Sequence, residues 1–91
     1  MSAKILVVDD EKNILALFKK ILNTEALHEH REPIEVHTAR SGDEAWQKVQ
    51  SEDFDLIVSD LAMDGMSGID LLQRVKGLKP EIPFMMLTGV G

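Results

Sequence analysis

Four side chains in this sequence could do chemistry together: Asp9, Asp10, Asp60 and Thr88. Asp60 closes the apolar run Leu56-Ile57-Val58 and is followed by Asp64, Gly65, Ser67 and Gly68, a loop composition. Asp9-Asp10-Glu11 closes a second run, Ile5-Leu6-Val7-Val8, and Thr88-Gly89 closes a third, Phe84-Met85-Met86-Leu87. One acid at a strand end is an ordinary turn or cap residue, because its side chain bonds nearby backbone N–H groups. The odds change if these strands run the same way, since all four side chains then share one rim. Carboxylates crowded on a rim repel one another, and burial adds a desolvation cost. A hard divalent cation relieves both. Mg²⁺ suits few carboxylates, a backbone carbonyl and retained waters.

The elements that must position these residues follow from periodicity. Ile5 to Val8 is continuous and apolar, as a strand buried on both faces is. From Lys12 to Glu25 the spacing of Ile14, Leu15, Leu17, Phe18, Ile21 and Leu22 is helical. Thr24 to Pro33 either extends this helix or forms a polar loop, and Pro33 stops it. His28 and His30, two residues apart, do not share a helix face and read as solvated. Ile34 to Ala39 alternates apolar and polar, as a half-exposed edge strand does, with His37 structural on its polar side. Ser41-Gly-Asp-Glu44 matches a capping box and opens a short helix to Ser51, with Ala45, Trp46 and Val49 on its core side. Gly68 to Lys76 is a third amphipathic helix, for which Gly77 is suited as a left-handed C-cap. Phe84 to Leu87 is a fourth strand. The order β-α-β-α-β-α-β predicts an α/β fold: a doubly wound, flavodoxin-like parallel sheet with right-handed crossovers.

Composition narrows the function classes. With 91 residues the chain is one small domain, burying roughly 60–65% of its unfolded surface. It has no cysteine, so disulfides and thiolate metal sites are excluded, in keeping with a reducing cytoplasm. No stretch approaches the ~20 apolar residues of a membrane span. The net charge of -6 opposes non-specific nucleic-acid binding. The first turn, DDEKN, has neither G-x-G-x-x-G nor a Walker-type lysine loop, which disfavours a nucleotide site.

With KILVVDDEKNI, DLIVSDLAMDGMSGIDLL and IPFMMLTG in this order, the whole chain resembles the receiver domain of two-component response regulators. The resemblance implies that Asp60 is the phosphoacceptor, taking a phosphoryl group from a sensor histidine kinase or phosphotransfer protein. It implies that Asp9, Asp10, Asp60 and the Ala62 carbonyl hold Mg²⁺, Asp9 through water. Thr88 would be the switch hydroxyl. The domain would be a regulatory phosphoacceptor in the cytoplasm, an enzyme at most in its own phosphotransfer and dephosphorylation. The alternatives are a phosphorylation-independent interaction module and, less favoured, a Mg²⁺-dependent phosphohydrolase with an aspartyl intermediate. Such hydrolases carry Asp-x-Asp after the first strand, whereas here Asp9 and Asp10 are adjacent.

Two departures accompany the resemblance. The family has a proline where Asp64 follows Met63, so an Asx-type turn with Gly65 and a looser loop are expected. The family also has five β-α units. Residues 1–91 therefore read as a C-terminally incomplete receiver, a fragment or the ordered part of a longer protein, with strand order 2-1-3-4. The fifth unit is missing, and with it the lysine that contacts the phosphoryl group. Lys76 and Lys79 lie away from the rim. The expectations are Mg²⁺ binding, poor phosphorylation or none in this form, and self-association through an exposed fourth-strand edge.

Overall fold

The computed structural model describes residues 3–22 and 34–87. The strands are β1 (Ala3–Val8), β2 (Ile34–Ala39), β3 (Leu56–Asp60) and β4 (Phe84–Leu87). The helices are α1 (Lys12–Leu22), α2 (Gly42–Ser51) and α3 (Gly68–Leu78). All neighbouring strands are parallel, in the order β2-β1-β3-β4. The expected doubly wound topology is therefore present. The segment Thr24–Pro33, with His28 and His30, lies outside the described residues, as does the helix end expected at Glu25.

The continuous apolar runs are explained by two cores, one on each face of the sheet. Leu6, Val8, Ala39 and Ile57 face α2 and α3 and pack with Ala45, Val49, Leu71 and Val75. Ile5, Val7 and Val58 point the other way and pack with Leu15 and Phe18 of α1. Successive strand residues alternate faces, so a strand covered on both must be apolar throughout. β2 is an edge, and its residues are mostly half-buried. His37 is structural as expected, its ring edge-on to Phe54 at 5.5 Å. Trp46 packs against the α2–α3 core and carries Arg74 over its ring.

Two local expectations are corrected. Gly77 is not a left-handed cap. It lies inside α3, because the Lys79 N–H still finds Val75 O at 2.7 Å and the helix has no need to reverse. The glycine with positive φ among the described residues is Gly65, at 77°. The Ser41–Glu44 box is only half formed. Ser41 Oγ accepts from the Glu44 N–H, but the Glu44 carboxylate accepts from Arg40 N–H, one residue early. The reciprocal box stands at α3 instead, between Ser67 and Asp70.

Lys76 and Lys79 lie at the end of the sheet opposite the acidic rim, as expected. Lys79 Nζ donates to the carbonyls of Val49 and Glu52, at 2.8 and 3.0 Å, and so satisfies the C-terminal end of α2. Lys76 Nζ reaches the carbonyls of Pro80 and Ile82, just before β4.

Candidate functional site

Parallel strands bring the C-terminal ends of β1 and β3 side by side, with Val8 opposite Ser59. The residues that follow carry the acids. Asp9 still belongs to the ladder, donating its N–H to Ala39 O at 3.0 Å. Its side chain turns back, and Oδ1 accepts the Glu11 N–H at 2.9 Å. That bond closes the turn into α1, so Asp9 does the work of a turn acid as well. Asp9 is buried, while Asp10 is exposed.

Asp60 is the last residue of β3 and is half-buried. Ser59, fully buried, donates Oγ–H to the Asp60 carbonyl at 3.0 Å. The Ala62 N–H makes a long bond, 3.4 Å, to Asp60 Oδ1. Beyond it the loop turns at Gly65 and is anchored by buried Met66. Asp64 is exposed, and among the described residues its carboxylate makes no Asx-type bond.

Asp9, Asp10 and Asp60 each offer a carboxylate oxygen, and these oxygens lie within 4.8 Å of one another. Of the residues expected at the site, these three are brought together, and Ala62 adjoins Asp60. Thr88 lies outside the described residues, one position beyond Leu87, which pairs with Asp60. Asp64 stands apart from the group. Ser59 is a further residue of the site that the motifs do not mark. The only sign of it was a polar residue ending an otherwise apolar run.

Burial, first of all, pushes the Asp9 carboxyl above the usual carboxylate range. The Glu11 N–H opposes this, and the charges of Asp60, Asp10 and Glu11 add to it. The folded state therefore holds the Asp9 proton more tightly than the unfolded chain does. Its stability falls as pH rises through the folded pKa, and ionised Asp9 is a cost at neutral pH. Asp9→Asn keeps an oxygen for the Glu11 N–H and removes that charge. Without metal it is expected to melt at a higher temperature than wild type near neutral pH. The advantage should shrink as pH falls toward the ordinary Asp pKa of about 3.9. Thermal melts across that range check this, and an advantage that does not change with pH would refute the electrostatic account.

The donor set fits a hard cation: oxygen ligands only, from crowded carboxylates, one of them destabilised by its neighbours' charge. The family model for the response regulator receiver domain matches residues 5–91. The chain belongs to the response regulator receiver domain family. Among similar curated proteins is the transcriptional regulatory protein ResD of Bacillus subtilis, 39% identical over 88 residues, covering 97% of this chain and 33% of that protein. Another is the alkaline phosphatase synthesis transcriptional regulatory protein PhoP of the same organism, 38% identical over 88 residues, covering 97% of this chain and 34% of that one. This receiver spans 18–34% of the length of such curated relatives. A CheY-like receiver domain from Methanospirillum hungatei superposes with a TM-score of 0.87 at 32% identity, covering 100% of this chain and 67% of that one. The response regulator TrrA of Thermotoga maritima, solved in complex with Mg²⁺-BeF, gives 0.81 at 35% identity, covering 98% and 71%. Among the described residues no helix is long and apolar enough to cross a membrane.

Proposed function

We propose that Asp60 accepts a phosphoryl group from a phosphohistidine of a sensor histidine kinase or phosphotransfer protein, in a Mg²⁺-dependent reaction. The observation that carries this reading is the meeting of Asp60 with Asp9 and Asp10 at one strand-end rim, oxygens within 4.8 Å. An Asp60 carboxylate oxygen attacks phosphorus. The P–N bond to the donor imidazole breaks, and its electron pair stays on the imidazole nitrogen. The product is an acyl phosphate on Asp60.

Asp10 and Asp60 would hold the metal through carboxylate oxygens and Asp9 through water, with the Ala62 carbonyl as a further ligand. A bound Mg²⁺ would supply neutralisation of charge on the phosphoryl oxygens. The chain's own contribution is placement. The β3 ladder fixes the Asp60 backbone, and the Asp9 turn bond keeps one carboxylate oriented beside it. In this reading Thr88 is the hydroxyl that follows the new phosphoryl oxygens. The added charge then biases a surface read by an output or partner, in the cytoplasm.

The direct test uses beryllofluoride with Mg²⁺ as a phosphoryl mimic. The expected result is a set of amide NMR shifts centred on Asp9, Asp10, Asp60 and Thr88, beyond those that Mg²⁺ alone produces and absent with beryllofluoride alone. Shifts scattered over other acids, or none at this rim, would sink the reading.

A further inference from the structure

Asp60 is held through its main chain on several sides. Its carbonyl accepts Ser59 Oγ–H at 3.0 Å. The following peptide is tied twice: the Leu61 N–H bonds Leu87 O, and Leu61 O accepts the Gly68 N–H, both at 3.0 Å. Gly68 is the first residue of α3 and is buried. A Cβ placed on Gly68 would fall on the Asp60 carbonyl oxygen, 3.1 Å from the carbonyl carbon and 2.8 Å from Met86 Sδ. Met86 Sδ is near the end of a flexible side chain and can give way. The Asp60 carbonyl is part of a strand end tied to two neighbours and cannot.

Gly68 does not have the positive φ that glycine alone tolerates, a feature that belongs to Gly65. What position 68 demands is space, not conformational freedom. Close approach of two backbones is the other use of glycine beside a strand.

We infer that Gly68, together with Ser59, is a positioning residue for Asp60. The missing side chain lets the first turn of α3 rest on the Asp60 carbonyl, and the Ser59 hydroxyl holds that carbonyl from within the core. Together they set where the Asp60 carboxylate stands relative to Asp9 and Asp10. For phosphoryl transfer this rests on the function proposed above. For metal binding it stands on the acidic cluster alone.

Gly42 is the natural control. It is also buried and also opens a helix, and a Cβ there would meet Met66 Cβ at 2.7 Å and Met66 O at 2.9 Å. Gly42→Ala therefore crowds the same core without touching an acid of the site. The experiment compares wild type, Gly68→Ala, Gly42→Ala and the pair Gly68→Ala/Met86→Ala. Each is assayed for thermal stability, for Mg²⁺ affinity by NMR titration, and for Asp60 labelling by a small-molecule phosphodonor, at a temperature where all are folded.

Gly68→Ala is expected to weaken Mg²⁺ binding by about 10-fold or more, as loss of an orienting group does. Labelling should slow by about 10²-fold, the effect of a misplaced reacting group. Gly42→Ala should lose thermal stability but keep both properties. Adding Met86→Ala should recover neither property, because it relieves the contact with sulfur and leaves the one with the Asp60 carbonyl. Wild-type Mg²⁺ affinity and labelling in Gly68→Ala, or recovery of both by Met86→Ala, overturns the inference. If Gly68→Ala does not fold, Ser59→Ala carries the test, because it loosens the same carbonyl without adding bulk. It should lower Mg²⁺ affinity, and an unchanged affinity overturns the inference. If residues 1–91 take no label, labelling is read in a longer chain that supplies the fifth β-α unit; no label there ends the phosphoacceptor reading, and the Mg²⁺ affinities still decide on Gly68.

Discussion

Asp60→Asn is expected to abolish covalent phosphorylation and to leave the fold intact. The amide has the carboxylate's shape but is not a nucleophile toward phosphorus. Its oxygen can still accept the Ala62 N–H that Asp60 Oδ1 accepts at 3.4 Å. The backbone ties run through the Asp60 carbonyl and the Leu61 peptide, not through the side chain. Burial is the main cause that raises the Asp9 pKa, and removing the Asp60 charge eases the repulsion that adds to it. Stability without metal should therefore hold or rise, while Mg²⁺ affinity falls. The measurement is intact mass after incubation with a phosphodonor and Mg²⁺, alongside a thermal melt. Any fraction of wild type that gains mass should gain one phosphoryl group, small though that fraction is expected to be in this form, and the variant should gain none. Undiminished labelling of the variant would move the nucleophile elsewhere, with exposed Asp10 of the same cluster the first candidate.

Asp9 and Asp10 are adjacent and identical, and nothing in the pattern says which is buried. Strand alternation decides it. Ile5 and Val7 point toward α1, so Asp9 follows them under the start of that helix, where the Glu11 N–H meets it. Asp10 comes after the strand has ended and is exposed. The convergence of Asp60 with the first pair was legible because it needs only strand direction. Strand direction in turn follows from strands alternating with helical patterns.

Other features were hidden for physical reasons. The cap at α2 and the cap at α3 have nearly the same spelling, S-x-x-E and S-x-x-D. Only the second closes reciprocally, since at the first the longer glutamate reaches one residue further back, to Arg40. Gly65, Gly68 and Gly77 look alike in sequence, yet one supplies a positive φ, one supplies space, and one lies inside a helix. Which role a glycine plays depends on what packs against it. That is a tertiary fact, and local pattern does not contain it. Ser59 is the same case, because its hydroxyl matters through a carbonyl that only the folded strand presents.

Leu71→Ala is expected to cost about 2–5 kcal/mol, the range for a leucine removed from a closed core. Leu71 is fully buried on α3, among the side chains that join α2 and α3 to the sheet. Alanine is the stronger helix former, so the loss is one of packing rather than propensity. A chain of this length has about 5–14 kcal/mol in total, and its small size favours the lower end. The substitution should therefore remove a large share of the stability, read as a fall in the urea midpoint. Metal linkage then ties the core to the site. Mg²⁺ at 100 times its dissociation constant stabilises the folded state by about 2.7 kcal/mol if it binds only there. Saturating Mg²⁺ should thus restore much of what Leu71→Ala loses. The same addition should do far less in Leu71→Ala/Asp60→Asn, where a ligand is gone. Equal rescue of both chains would mean that the metal binds somewhere other than the Asp9–Asp10–Asp60 rim.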